Sequence, residues 1–250
     1  MQDAVALLEA CTRPVVFTGA GMSAESGIAT FRGGKDSLWS RWRPEDLATP
    51  NAFHRDPALV WGWYLYRMAQ LASVHPHDGH RALAALEERW PGLTLVTQNV
   101  DDLHERAGSS RVLHLHSELM RLRCSECERP FAGFEVPAMK EMEAGQRVEP
   151  PRCDHCGGRV RPGVVWFGES LPTEAWGQAQ AAIEGCDLLL IVGTSGQVEP
   201  AASLVALARS RGARVVLVDP GETLHAPLAD VHLRMAAGPG LLAILGTPGK

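Results

Sequence analysis

Four of the six cysteines stand in two pairs with metal-ligand spacing, Cys124-Ser-Glu-Cys127 and Cys153-Asp-His-Cys156, with 25 residues between them. Two residues between ligands let both thiolates of a pair reach one tetrahedral ion, and Gly157-Gly158 permits the tight turn that follows. Two disulfides are the alternative, which an oxidising compartment would favour. Redox chemistry from one Cys-x-x-Cys explains only half of the pattern. With all four positions filled by cysteine no place is left for water, so a zinc ion here is structural and the chemistry lies elsewhere. Cys11 and Cys186 lie in core-like sequence and are assigned to packing.

A second set of residues suits the binding of a nucleotide. Gly19-Ala20-Gly21-Met22-Ser23-Ala24 follows the apolar run Val15-Val16-Phe17, where amides at a helix start can receive a pyrophosphate. The alternative is a glycine turn that only lets helix and strand approach closely. The acidic residue that would hold an adenosine ribose about 20 positions later is not at the end of a second strand, and Thr30-Phe31-Arg32-Gly33 stands there instead, which strains an ordinary dehydrogenase reading. Thr97-Gln98-Asn99-Val100-Asp101 follows another apolar run, His114-Leu115-His116 closes the next, and Gly193-Thr194-Ser195 ends a third. Polar groups at strand C-termini are where open α/β sheets place ligands, so Gln98, Asn99, Asp101 and one histidine are expected in one pocket. His114 and His116 share a strand face, and His114, further from the strand end, is the one assigned to structure.

The elements that must position these groups read as an α/β fold. Apolar runs at Val15–Phe17, Leu93–Thr97, Val112–Leu115, Leu188–Val192 and Val215–Val218 alternate with helical stretches at Asp3–Cys11, Gly79–Trp90 and Ala201–Arg211. That alternation predicts a Rossmann-like, doubly wound parallel sheet, with strand, glycine turn and helix at its start. The sheet domain is expected to be discontinuous, over residues 1–33, 78–120 and 162–250. Residues 34–77, with a helix around Pro57–Val74, form a helical insertion, and 121–161 form the four-cysteine zinc module. Together the insertions make the small domain.

Composition removes several classes of function. The 250 residues are 45% hydrophobic and 21% charged, which rules out disorder and fibre. A net charge of −5 leaves no basic surplus for general nucleic-acid or anionic-membrane binding. The longest apolar stretches, such as Leu188–Val192, fall far short of the roughly 20 residues that cross a bilayer. The first thirteen residues carry Asp3 and Glu9 and form neither a secretory signal nor a transit peptide, so a cytoplasmic protein is expected.

Taken together and in order, Gly-Ala-Gly-Met-Ser-Ala-Glu-Ser-Gly-Ile, Thr-Phe-Arg-Gly, Thr-Gln-Asn-Val-Asp, His116, the two cysteine pairs, Val165-Trp166-Phe167-Gly168-Glu169 and Gly-Thr-Ser resemble the sirtuin family of NAD-dependent protein deacylases. The resemblance runs from Val15 to about Gly240. It implies that an acyl-lysine carbonyl oxygen attacks C1′ of the nicotinamide ribose, that nicotinamide leaves, and that the acyl group ends on ADP-ribose. By it His116 is the general base, while Asn99 and Asp101 hold the nicotinamide and the reactive ribose, with Gln98 nearby. Gly19, Ala20, Gly21, Ser23, Ala24, Phe31 and Arg32 bind the cofactor or order its loop. Gly193, Thr194, Ser195, Asp219 and Ala237 contact the adenosine half. Val165, Phe167 and Gly168, with the loop beyond Gly196, receive the acylated-lysine peptide as an added strand.

Within the family, Tyr64 and Arg67 resemble the Tyr-x-x-Arg pair of the branch that includes bacterial sirtuins and the mitochondrial desuccinylase, which implies a preference for succinyl or malonyl over acetyl. Three apart, they share a helix face. Their bland reading is a packed aromatic beside a solvated cation. Two positions depart from the family pattern. Ser117 stands where glycine usually follows the histidine, and is strained if the backbone there needs a positive φ. Asp219 replaces an asparagine on the adenosine ribose, where a carboxylate can accept from both hydroxyls. NAD-dependent ADP-ribosylation of protein is the rival enzyme reading, and a non-catalytic NAD sensor or zinc-bearing binding module the third.

Overall fold

The structure is a computed structural model and describes residues 1–30 and 42–246; Phe31 and Arg32 lie outside the described residues. Its strands are β1 Pro14–Thr18, β2 Thr94–Thr97, β3 Val112–His114, β4 Leu122–Cys124, β5 Pro130–Phe131, β6 Val160–Pro162, β7 Leu188–Val192, β8 Arg214–Val218 and β9 Val231–Leu233. Six of them form one parallel sheet in the order β3-β2-β1-β7-β8-β9, and β5-β4-β6 form a small antiparallel sheet. The runs read as strands are all strands of the large sheet. The edge strand β9 escaped notice because Val231-His232-Leu233 is short and broken by a histidine.

The central strands β1 and β7 are buried at every residue and apolar at all but Thr18, because both faces of the sheet are covered. Val16, Leu188, Leu190, Val192, Val216 and Val218 face the helices Gln2–Ala10, Asp78–Arg89 and Ala237–Leu245. Alternate residues, Val15, Phe17, Leu189, Ile191, Val215 and Leu217, face Thr173–Gly185 and Ser203–Ser210. This is the doubly wound arrangement.

A third cluster joins the helix Pro57–Ser73 to the small sheet, through Trp61, Tyr64, Met68, Leu122, Val160 and Trp166. The prolines of this region begin helices at Pro44, Pro50 and Pro57, where a missing N–H costs nothing. Thr49 and Asp56 cap the second and third by accepting from the amides of Ala52 and Leu59.

The stretch after the first glycine turn departs from expectation. Instead of an α-helix, Ala20–Met22 and Ala24–Ser26 form two short 3₁₀ turns. The amides of Gly19, Gly21, Met22 and Ser23 donate to Val192, Gly193, Gly19 and Ala20 carbonyls, so they are not a row of donors for a pyrophosphate. The glycines answer to packing: a Cβ at Gly19 would stand 2.7 Å from the Thr194 Cβ, and one at Gly21 would stand 2.7 Å from the Gly193 Cα. Among the described residues no helix is long and apolar enough to cross a membrane.

Candidate active site

The chain leaves β1 toward β2 on one side and returns to β7 on the other, which opens a crevice at the strand C-termini. A cleft of about 630 Å³ lies there. Its walls take in Gly19, Ala20, Gly21 and Ala24 after β1, Gln98 and Asn99 after β2, and His116 after β3. Gly193, Thr194 and Ser195 follow β7, and Asp219 follows β8. Tyr64 and Arg67 join from the helix Pro57–Ser73, as do Val165, Phe167 and Gly168 from the segment after β6. Residues from seven parts of the sequence thus share one wall.

The His116 Nδ1 lies 2.9 Å from the Gln98 carbonyl oxygen. A carbonyl only accepts, so Nδ1 carries the hydrogen and Nε2 keeps its lone pair. Burial lowers the His116 pKa below 6.5, against an opposing pull from the Gln98 carbonyl. His114 differs on every count. Its Nδ1 contacts the Asn99 carbonyl at 3.0 Å and its Nε2 the Glu105 carboxylate at 2.7 Å, both acceptors, so both nitrogens carry hydrogens. Burial opposes the charge, but Glu105 prevails and raises the His114 pKa. His114 is a structural imidazolium that fixes the Asn99 backbone.

Asn99 and Asp101 meet through Ser23. The Asn99 Nδ2 donates to Ser23 Oγ at 3.1 Å, and Ser23 Oγ donates to Asp101 Oδ2 at 3.0 Å. Burial raises the Asp101 pKa while the Ser23 hydroxyl draws it down. Ser23, Asp101 and Ala237 are all buried and do not line the cleft. Ser23 and Asp101 stand behind it and hold Asn99, which does; Ala236 lines the wall in place of Ala237. Gln98 donates to the Thr194 hydroxyl at 2.9 Å, tying the end of β2 to that of β7.

Arg67 is buried against aromatic rings, with its guanidinium carbon 4.8 Å from the centre of Trp63 and 5.6 Å from that of Tyr64. A solvated cation is therefore the wrong description. Burial lowers its pKa from 12.5, while Tyr64 and Asp101 oppose the fall. Ser117 has φ +57°, so the position that follows His116 does adopt the left-handed conformation that favours glycine. In the segment after β6, the Val165 and Phe167 amides donate to the His116 and Ala48 carbonyls, and the Trp166 amide to Glu169.

The four cysteines of the small sheet have their sulfur atoms within 4.8 Å of one another, and all are free thiols. The Cys124–Cys156 and Cys127–Cys153 sulfur pairs are 3.4 and 3.8 Å apart. Sulfurs arranged tetrahedrally at about 2.3 Å from a zinc ion stand roughly 3.8 Å from each other, and disulfide sulfurs about 2.05 Å. The amides of Glu126 and Gly158 point at the Cys124 and Cys156 sulfurs, both at 3.4 Å, as donors to thiolates would. The donor set fits zinc.

The motifs read in the sequence have their counterpart in a family model, described as the Sir2 family, that matches residues 19–200. This chain is a Sir2-family protein. It is 56% identical over 220 residues to the NAD-dependent protein deacylase 1 of Pseudomonas aeruginosa, covering 88% of each chain. Against the NAD-dependent protein deacylase 1 of Archaeoglobus fulgidus the identity is 48% over 225 residues, covering 90% of this chain and 88% of the other. Among solved Sir2 structures, a homologue in complex with NAD superposes with a TM-score of 0.87 at 43% identity over 98% of this chain and 92% of that one. Another, holding a deacetylated p53 peptide and 3′-O-acetyl ADP-ribose, gives 0.82 at 28% identity over 99% of both.

The cleft is also lined by residues with no expected role, among them Glu25, Gln197 and Trp166. Glu25 and Trp166 lay inside motifs already quoted, with nothing in residue type to set them apart. Gln197 sits in the loop beyond Gly196.

Proposed function

We propose that this Sir2-family chain is an NAD-dependent protein-lysine deacylase that prefers succinyl and malonyl groups to acetyl, releasing nicotinamide and O-acyl-ADP-ribose. The observation that supports this most is one cleft that brings together the lone pair of His116 and the buried cation Arg67. The relatives' names supply the reaction class.

NAD, the co-substrate, offers an electrophilic C1′ carbon with a good leaving group. Asn99, held through Ser23 to Asp101, orients the nicotinamide and its ribose. The acyl oxygen bonds to C1′ as the C1′–nicotinamide bond breaks; His116 Nε2 takes the proton of a ribose hydroxyl whose oxygen bonds to the acyl carbon, the lysine amine leaves, and water adds to give O-acyl-ADP-ribose. Gly19, Ala20, Gly21 and Ala24 border the bound cofactor, as do Gly193, Thr194, Ser195 and Asp219. Phe31 and Arg32 keep their expected part in the cofactor loop. Val165, Phe167 and Gly168 carry the acyl-lysine peptide, and Arg67 and Tyr64 bind the acyl carboxylate. Cys124, Cys127, Cys153 and Cys156 hold one structural zinc.

The test is incubation with NAD and acetyl, succinyl and malonyl versions of one peptide, read by mass spectrometry. Free lysine peptide, nicotinamide and O-acyl-ADP-ribose are expected. A peptide that gains the mass of ADP-ribose would favour ADP-ribosyl transfer instead, and binding without turnover would favour a sensor.

A further inference from the structure

Trp166 carries more polar and charged contacts than packing requires. It is 2% exposed. Its backbone N–H donates to Glu169 Oε2 at 2.8 Å, and its indole Nε1–H donates to the Tyr64 hydroxyl oxygen at 2.8 Å. The Arg161 guanidinium lies 3.3 Å from the centre of the indole. Glu169 holds that guanidinium by two bonds of 2.6 and 2.9 Å, and Arg161 also donates to the Val164 carbonyl at 3.0 Å. Burial would raise the Glu169 pKa, yet the Arg161 side chain keeps it below the usual range, so the pair stays ionised. Phe53 packs on the indole, with ring centres 5.4 Å apart.

A hydroxyl that accepts from an indole N–H must send its own hydrogen elsewhere. Tyr64 and Trp166 both line the cleft, and Arg67 stands over the Tyr64 ring. Burial moves the Tyr64 pKa up to about 12, so the phenol remains a donor throughout the neutral range. A cation over the indole withdraws electron density from it, and hydrogen bonds in a chain strengthen one another. We propose that Trp166 is a specificity-determining positioning residue: its indole N–H occupies the Tyr64 oxygen and turns the Tyr64 hydroxyl into an oriented donor for an anionic acyl group. Arg161 and Glu169 hold the indole in that pose. The inference rests on the preference for succinyl and malonyl proposed above.

The experiment compares kcat/KM for succinyl and acetyl forms of one peptide in wild type, Trp166→Phe, Tyr64→Phe, the double variant and Arg67→Met. Trp166→Phe keeps a flat apolar ring and removes the N–H. It should lower the succinyl-to-acetyl ratio by about 3- to 10-fold, the range of one neutral hydrogen bond. In the Tyr64→Phe background the same change should leave the ratio where it is, because the oxygen it acts on is gone. Equal losses on both peptides, or a ratio that still moves without the Tyr64 oxygen, would overturn the proposal. A ratio that collapses in Arg67→Met but holds in Trp166→Phe defeats this inference alone, whereas an unchanged ratio in Arg67→Met defeats the acyl preference beneath it. Should Trp166→Phe lose its zinc or its cooperative melting, Arg161→Lys serves instead. It keeps the charge and loses the planar stack, with a fall in ratio of about 2- to 5-fold expected and no fall overturning the proposal.

Discussion

The His116 imidazole donates from Nδ1 to the backbone carbonyl of Gln98, a residue at the end of the neighbouring strand, over 2.9 Å. That contact selects the tautomer with a free Nε2 lone pair. His116→Ala should lower deacylation by about 10²- to 10⁴-fold while NAD still binds. Because burial puts the His116 pKa below 6.5, the base is already neutral at pH 7. Its limb of the pH–rate profile should rise with pH through a value under 6.5 and then flatten. Near-normal turnover in His116→Ala, or loss of that limb in His114→Ala alone, would rule out His116 as the general base.

Arg67→Met keeps an apolar stem among Trp63 and Tyr64 and removes the charge. Desuccinylation should fall by about 10- to 150-fold, the worth of one charge-assisted hydrogen bond of roughly 1.5 to 3 kcal/mol. Deacetylation should stay level or rise, since acetyl offers the guanidinium no anion. Tyr64→Phe should do less. An unchanged ratio of kcat/KM for the two acyl peptides returns Arg67 to a packing role.

Metal analysis of the purified protein should find one zinc per chain, lost on Cys153→Ala. The strands that bear the knuckles are two or three residues long, too short to hold together by ladder bonds alone. Leu122 and Val160 of this sheet share a cluster with Tyr64 and Trp166, so the loss should also lower Tm and turnover. A metal-free chain that folds and turns over normally sinks the assignment.

Ser117→Gly should stabilise the protein. A non-glycine residue at φ +57° costs about 1 to 2 kcal/mol, and the added chain entropy of glycine returns roughly half of that. A rise in Tm of about 1–3 °C is expected by calorimetry, and a fall would show that the serine makes a compensating contact.

Stability should depend on pH through His114. Its pKa is raised in the folded chain, so its contribution is complete below 6.5 and fades as pH climbs through the folded value. Glu105, held below 4.5 by His114 against the opposing effect of burial, loses its share as pH falls through its own folded value. Denaturant midpoints should therefore decline above pH 6.5 in wild type and decline less in Glu105→Gln; identical pH profiles would contradict the ion pair.

Much of this was legible because it is local. A Cys-x-x-Cys pair needs only its own turn to place two thiolates, and a strand buried on both faces is apolar at each residue, as Leu188–Val192 shows. What stayed hidden depends on distant partners. Asp101 looks like a pocket carboxylate until Ser23 is seen between it and Asn99. Trp166 looks like a packed aromatic until the helix Pro57–Ser73 brings the Tyr64 oxygen to its N–H. The glycines of the first turn suggested a phosphate cradle, while their Cα atoms are fixed by contact with Gly193 and Thr194. The antiparallel strands β4, β5 and β6 are too short to leave a periodic signal.

The order β3-β2-β1-β7-β8-β9 also sets a timetable for synthesis. Val15 lies beside Thr94 on one edge and Leu189 on the other, so β1 leaves the ribosome long before either partner exists. Its apolar faces and unpaired edges wait while the helical and cysteine-bearing segments emerge, and the β1–β7 junction that carries Gly19, Gly21 and Gly193 closes only near the end. Nascent chains halted before Leu188 should therefore engage chaperones and give no ligand-induced protection from protease, which the finished chain acquires in one step.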